Sequence, residues 1–188
     1  HTVTEEIIGV DLVQTQIKLA EGRSLADLGL SQEKLAPHGV AIQCRLTTED
    51  PQNKFLPDTG KLVTYRSASG FGIRLDAGSA FTGAVISPFY DSLLVKVTAR
   101  GANLDDASRK LRRCLREFRI RGVTTNLQFL EKLLSHPLFL SGKTYTTFVE
   151  ETADLFQFQP RRDRANKLLL FIADVTVNGH HLIWQQPL

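Results

Sequence analysis

Two groups of basic residues have the types and spacing that could do chemistry, and the first is a single arginine. Arg45 lies in the segment VAIQCRLT, on the side opposite to the apolar residues. A guanidinium stays charged and offers a planar fork of N–H donors, which suits bicarbonate, a carboxylate or an enolate oxygen. A surface arginine can also pair with a neighbouring acid, and the pattern alone favours that ordinary role.

The second group is a basic run between Arg109 and Arg121, in which Glu117 is the single acid. Its cations are Arg109, Lys110, Arg112, Arg113, Arg116, Arg119 and Arg121. A solvated helix face explains the first part of the run. Arg119 and Arg121 follow the predicted helix and lie on one side of an extended segment, where two guanidinium groups could bind a phosphate. A nucleic-acid surface would need interleaved aromatic residues, and only Phe118 is present, so we expect no nucleic acid.

The composition is that of a folded domain. The chain has 188 residues, of which 42% are hydrophobic and 23% charged, and its net charge of +3 is mild. Such a composition can fill a core. No apolar run of about 18 residues is present, and no secretory leader pattern is visible. We therefore expect neither a membrane partner nor secretion.

Standard catalytic and metal motifs are absent. The sequence has no P-loop, nucleophile elbow or HExxH motif. Cys44 and Cys114 lack the spacing of a metal site and predict free thiols in a reducing compartment. His180 and His181 are neighbours near the end of the chain and are interpreted as solvated. No metal site is therefore expected.

Hydrophobic periodicity predicts the elements that must position these residues. Residues 1–22 predict a helix with Asp11 as its N-cap. Residues 23–38 predict a loop with a short helical turn. Residues 40–47 alternate between apolar and polar side chains, which is typical of a half-buried strand whose polar face carries Arg45. The apolar residues of the first helix are Leu12, Val13, Ile17 and Ala20.

Further strands and then helices follow. Residues 62–66 and 71–76 predict two strands joined around residues 67–70, and residues 93–99 predict another strand. Strands followed by helices indicate an α+β fold with an antiparallel sheet packed by helices. The later segments are helices over residues 104–118, 127–134 and 164–172, and a strand-like stretch over residues 174–178.

Several segments together resemble the pyruvate carboxylase family. They are HTVTEEIIGVDLVQTQI, AIQCRLTTEDP, FLPDTGKL, GFGIRLD, SPFYDSLLVK and EFRIRGVTTNLQFL. Looser forms are typical of biotin carboxylases generally, including those of acetyl-CoA and propionyl-CoA carboxylases. HTVTEE, CRLTTEDP and the later RRDRANKLLLFIADVTVNGH favour the pyruvate-type family. The final HLIWQQPL does not match it.

The resemblance implies a division of the chain. Residues 1–38 would end the ATP-grasp region, residues 39–150 would form the biotin carboxylase C-terminal subdomain, and residues 151–188 would begin the central allosteric linker domain. The sites for ATP and Mg²⁺ would lie upstream, and the biotin carrier and carboxyltransferase domains downstream. The whole enzyme would use ATP and bicarbonate to carboxylate biotin and then pyruvate, giving oxaloacetate. We expect the isolated chain to be inactive.

The resemblance also implies roles for individual residues. Arg45 matches an arginine beside bicarbonate and biotin, where it would stabilise a developing oxyanion. Asp91 could orient Arg45 or serve a structural role. Phe71 and Arg74 match a dimer interface in a homo-oligomer, with a core aromatic and a surface arginine as the alternative interpretation.

Three arginines match a regulatory site. By resemblance, Arg119, Arg121 and Arg164 would bind acetyl-CoA, an activator of many members of the family, and should converge in space. The implied location is bacterial cytoplasm or mitochondrial matrix. Two alternatives remain open: a fragment of another biotin-dependent carboxylase, and a non-catalytic module that binds acyl-CoA or another protein.

Overall fold

The computed structural model describes residues 1–78, 80–158 and 164–179, with the backbone alone at residue 164. It divides into the units His1–Gln157 and Phe158–Leu188, which are described separately. The helices are α1 (Thr2–Ile8), α2 (Leu12–Ala20), α3 (Leu104–Glu117), α4 (Leu127–Leu133), α5 (Pro137–Leu140), α6 (Phe148–Glu151) and α7 (Arg164–Asn178). The strands are β1 (Val40–Thr47), β2 (Glu49–Asp50), β3 (Leu56–Pro57), β4 (Gly60–Lys61), β5 (Thr64–Arg66), β6 (Ile73–Ala77), β7 (Val85–Ile86), β8 (Leu93–Gly101) and β9 (Arg119–Arg121).

The centre of the first unit is an antiparallel sheet in the order β1-β8-β6. Alternation along β1 decides its faces, since Cys44 and Leu46 are buried while Arg45 between them is exposed. On β8, Val95 and Val97 turn to the same core. The predicted α+β fold with an antiparallel sheet is therefore confirmed.

Helix α3 covers the apolar face of this sheet. Asn103 caps its first turn by accepting a hydrogen bond from the Asp106 backbone N–H at 2.9 Å. Its buried apolar residues recur at three- and four-residue steps, as expected for one helical face. They are Ala107, Leu111, Cys114 and Leu115.

The amino-terminal segment is two helices and not the single helix predicted for residues 1–22. Gly9 ends α1 in the left-handed region with φ 70°, a conformation that glycine adopts without a steric cost. The Glu5 carboxylate then accepts a hydrogen bond from the Leu12 N–H at 2.8 Å. Asp11 caps α2 as predicted, accepting from the Gln14 N–H. Within the chain the apolar face of α2 stays exposed, with Val13 and Ile17 at 65% and 56%.

The predicted pairing of residues 62–66 with residues 71–76 is wrong. Strand β5 pairs with β9, and β6 pairs with β8. Residues 67–70 therefore connect two different sheets. Ala68 within this connection is buried in the core, and the Arg100 N–H donates to the Gly72 carbonyl. Because each strand pairs with a strand from another part of the sequence, the two do not form a hairpin with each other.

The strand predicted for residues 174–178 is also wrong, because α7 continues to Asn178. Three consecutive β-branched residues favour a strand, but polar side chains here bond back along the helix. The Thr176 hydroxyl donates to the Ile172 carbonyl at 2.7 Å, and the Asn178 amide donates to the Asp174 carboxylate at 2.6 Å. Such i to i−4 bonds satisfy these side chains within a helix.

A tight crossing fixes the loop after β9. Gly122 has φ 104°, and a Cβ built there would overlap the Lys61 carbonyl oxygen. Gly83 has a similar φ of 98°, but a Cβ there meets no atom within 4 Å. A side chain at either glycine would thus strain the backbone, but only at Gly122 would it also overlap a neighbouring atom.

We expect Gly122→Ala to lower the free energy of unfolding by at least about 3 kcal/mol, because the backbone must shift as well as adopt a strained φ. Gly83→Ala should cost only about 1–2 kcal/mol, from the strained φ alone. Urea unfolding of both variants and the parent chain measures the difference. Equal losses would show that the crossing at Lys61 is not tight.

Candidate functional site

The polar face of the central sheet carries the candidate site. In antiparallel sheets, directly opposite residues turn to the same face. Arg45 on β1 lies opposite Lys96 on β8, which in turn lies opposite Asp76 on β6. These three residues form a row across the sheet, here called the open row.

A neighbouring row is covered by α1. Thr2 donates from its hydroxyl to the Gln43 amide oxygen at 2.9 Å and shares a 2.7 Å hydrogen bond with the Thr98 hydroxyl. Gln43, Thr98 and Arg74 lie opposite one another on β1, β8 and β6. Because α1 packs on this row, it covers about half of the polar face of the sheet.

Arg74 joins the sheet to α1 through ion pairs. Its guanidinium lies 2.7 Å from the Glu5 carboxylate and 2.8 Å from the Asp76 carboxylate. The bonds to Asp76 and then Glu5 raise the pKa of Arg74. The Leu12 N–H, followed by Arg74, lowers the pKa of Glu5. Glu5 therefore accepts from the start of α2 and pairs with the sheet.

The two cations of the open row form no ion pair in the described residues, although Asp76 lies directly opposite Lys96. Arg45 is exposed and Lys96 is half-buried. Neither side chain forms a hydrogen bond or ion pair within the described part of the chain. Asp76 accepts a hydrogen bond from Arg74 through its Oδ1 atom, while its Oδ2 atom is buried without a partner among the described residues. The row can therefore receive an anion at Arg45 and Lys96.

Asp91 lies outside the open row. Its carboxylate accepts a hydrogen bond from the Leu93 N–H at 3.2 Å, before β8 begins. It lines a pocket of about 250 Å³ together with Thr48, Asp58 and Ser92. No ion pair joins it to Arg45 among the described residues, so its orienting role stays a prediction.

Phe71 and Arg74, matched to a dimer interface, occupy different surroundings. Phe71 is 92% exposed, and the Lys110 ammonium lies 5.4 Å from its ring centroid. It is therefore not a core aromatic. The guanidinium of Arg74 is engaged within the chain, whereas most of the Phe71 ring is exposed to solvent.

Arg119 and Arg121 lie on one side of β9, as predicted, with Ile120 between them half-buried. Register places Arg66 of β5 directly opposite Arg119. Like charges in this position are unfavourable unless an anion or solvent screens them. Arg119 donates to the carbonyls of residue 116, at 2.7 Å, and of Phe118. The three arginines Arg66, Arg119 and Arg121 are here called the arginine ribbon.

The side chain of Arg164 lies outside the described residues, so its predicted convergence with Arg119 and Arg121 stays a prediction. The same is true of the predictions for His180, His181 and the final residues 181–188. Within the described residues, no group of three or more His, Cys, Asp or Glu is arranged to hold a metal. None of the described helices is long and apolar enough to cross a membrane.

The helical part of the basic run pairs largely with acids. Arg109 lies 3.1 Å from Asp105, and Arg113 lies 2.9 Å from Glu117. Arg116 also has an acidic neighbour. These exposed ion pairs agree with a solvated helix face.

Both cysteines are free and buried. Burial raises the pKa of Cys44 to about 12 and that of Cys114 to about 11. A protonated buried thiol is a poor nucleophile and a poor metal ligand. The cysteines therefore belong to the core and not to the site.

Sequence reasoning missed Lys96 and Arg66. Lys96 lies within the predicted strand 93–99, but only its register with β1 shows that it adjoins Arg45. Arg66 was assigned to a hairpin and so was not connected with Arg119. In both cases the available signal was a basic residue on the polar side of a predicted strand.

Comparisons with known proteins agree with this architecture. Residues 43–151 match the biotin carboxylase C-terminal domain family. Human mitochondrial pyruvate carboxylase is 57% identical over 179 residues, which are 95% of this chain and 15% of the human protein. The chain thus spans a small part of that relative.

Two solved structures extend the comparison. Rhizobium etli pyruvate carboxylase, a variant with the allosteric activator acetyl coenzyme A, has a TM-score of 0.86 and 51% identity, over 96% of this chain and 18% of that one. The biotin carboxylase domain of a thermophilic 2-oxoglutarate carboxylase, bound to bicarbonate, has a TM-score of 0.80 and 36% identity, over 85% of this chain and 35% of that one. The resemblance to pyruvate carboxylases is therefore confirmed. Because the family match spans more than half of the chain and includes most of its central sheet, the chain belongs to the biotin carboxylase C-terminal domain family.

Proposed function

We propose that this chain is part of a biotin-dependent carboxylase of the pyruvate carboxylase type, where it supplies a fixed cation to the carboxylation of biotin. The open row carries the proposal, since Arg45 and Lys96 adjoin there and neither forms an ion pair in the described residues. In this proposal the complete protein uses ATP, Mg²⁺ and bicarbonate to carboxylate biotin and then transfers the carboxyl group to pyruvate.

Arg45 is the catalytic residue in this proposal. Carboxylation requires a biotin ureido nitrogen to lose its proton, and negative charge then grows on the ureido oxygen. A guanidinium held by a strand can bind bicarbonate and meet that oxygen with its planar fork of donors. Preorganised donors of this kind contribute about 3–4 kcal/mol to lowering a barrier. Lys96 adds a second positive charge beside the same site.

The rest of the machinery belongs to the longer protein in this proposal. We assign residues 1–38 to the end of an ATP-grasp region, residues 39–150 to the C-terminal subdomain and residues 151–188 to the start of a central linker domain. The exposed apolar face of α2 supports a further domain next to residues 1–38, because Val13 and Ile17 would need a covering surface. The isolated chain is expected to be inactive, since nucleotide binding lies elsewhere.

The arginine ribbon is the proposed acetyl-CoA site, together with Arg164. A nucleotide with several phosphates offers charge for more than one guanidinium, and the unfavourable Arg66 and Arg119 pair would be relieved by such an anion. The Rhizobium etli relative with acetyl coenzyme A supports this assignment. Phe71 and Arg74 are proposed to lie at the interface of a homo-oligomer, and Asp91 is proposed to support the catalytic arginine. Mitochondrial matrix or bacterial cytoplasm is the proposed location.

In the full-length protein, we expect Arg45→Lys to slow carboxylation of free biotin by about 100-fold or more, because an ammonium cannot replace the planar fork. ATP affinity and Tm should stay at their parental values. Kinetics with labelled bicarbonate measure the rate. Arg100→Lys, the same change at an exposed residue of β8, is the matched control and should keep the parental rate. A near-parental rate in Arg45→Lys would remove Arg45 from catalysis.

Loss of Arg121 or Arg164 should weaken activation. We expect Arg121→Ala and Arg164→Ala each to raise the half-maximal acetyl-CoA concentration about 10-fold in the full-length protein, since a charged hydrogen bond contributes about 1.5–3 kcal/mol. The double variant should raise it further. Arg109→Ala, on the solvated face of α3, is the control. An unchanged half-maximal acetyl-CoA concentration in the double variant would show that Arg121 and Arg164 do not bind acetyl-CoA.

A further inference from the structure

Asn126 holds the strand that carries Arg45. Strand β1 is an edge of the central sheet, so one side of its backbone has no strand partner. The Asn126 side chain occupies that side. Its amide N–H₂ donates to the Arg45 carbonyl at 3.0 Å, and its amide oxygen accepts from the Thr47 N–H at 3.0 Å. Its backbone N–H donates to the Thr47 carbonyl at 3.2 Å.

These three bonds replace a strand partner. They span the residues around a shift in register between Leu46 and Thr47, where pairing with β8 is irregular. A bulge leaves the strand direction less well determined by its regular partner. Asn126 therefore fixes the backbone on the free side, at the residue whose side chain enters the open row.

Asn126 makes these bonds instead of capping α4 with its side chain. It is the N-cap residue of α4, where an asparagine side chain normally accepts a hydrogen bond from the first turn. No such cap bond is present at α4. Asn126 is only 6% exposed, so both ends of its amide are committed to β1 inside the protein. Asp58 secures the same loop by accepting from the Thr124 N–H at 2.6 Å.

We propose that Asn126 is a positioning residue for Arg45 in biotin carboxylation. This inference rests on the proposed function of Arg45. A long side chain amplifies small changes at its backbone, and a rotation of about 10° at the Cα moves a guanidinium by roughly 1 Å. A displacement of that size at a catalytic group can cost about 100-fold in rate. Asn126 thus acts through Arg45 and need not touch the substrate.

A double-mutant cycle in the full-length protein tests this inference. Asn126→Ala should lower kcat/KM for free biotin about 10- to 100-fold, with little change in KM for ATP. In an Arg45→Ala background, the same substitution should produce no further loss, because the residue it positions is gone. Asn103→Ala, which removes the cap of α3 on the other side of the sheet, should lower Tm without coupling to Arg45.

The isosteric Asn126→Asp variant provides a second test that does not depend on the folding of the alanine variant. A protonated aspartic acid can still donate to the Arg45 carbonyl, whereas the ionised carboxylate can only accept. The ratio of variant to parental carboxylation rate should therefore rise as the pH is lowered. A ratio that does not change with pH would contradict positioning through this bond.

Two other results separate the possible failures. An equal loss from Asn126→Ala in both backgrounds, or no loss in either, would overturn the positioning role while the proposed function of Arg45 stands. A parental rate in Arg45→Ala alone would overturn the proposed function of Arg45, and this inference with it.

Discussion

The pairing of β1 with β8 is the constraint on which the site depends. Side chains alternate along a strand, so the register that buries Cys44 and Leu46 also sends Arg45 to the opposite face. A slip of one residue would bury the guanidinium and expose leucine, which the core does not allow. The hydrophobic core therefore selects the direction of the proposed catalytic group, and the same register places Lys96 beside it.

Helix α1 then divides the polar face into a covered and an open part. The Glu5 carboxylate accepts from the first N–H of α2 and pairs with the guanidinium of Arg74, so it adds to the Thr2 bonds that attach α1 to the sheet. Arg74 is matched to an interface by resemblance, yet within this chain it is part of that attachment. A partner that binds at Arg74 would thus meet a guanidinium that Glu5 and Asp76 already hold.

The periodicity of the sequence predicted the parts of the site that depend on a single strand or helix. The polar face of β1 and the buried face of α3 follow from periods of two and 3.6 residues, and Arg45 was found in this way. Lys96, Arg66 and Asn126 were not, because each gains its neighbour through contacts between distant parts of the sequence. Asn126 lies 81 residues from Arg45 and has the sequence context of an ordinary helix cap. No local period contains that information.

The central claim is that Arg45 meets the reacting groups from the open row. A crystal structure of the full-length protein with bicarbonate and biotin tests it most directly. The account predicts guanidinium nitrogens of Arg45 about 3 Å from an oxygen of bicarbonate or of the biotin ureido group, with the Asn126 bonds to β1 intact. An Arg45 side chain that pairs with an acid of another domain, while both ligands bind elsewhere, would contradict it.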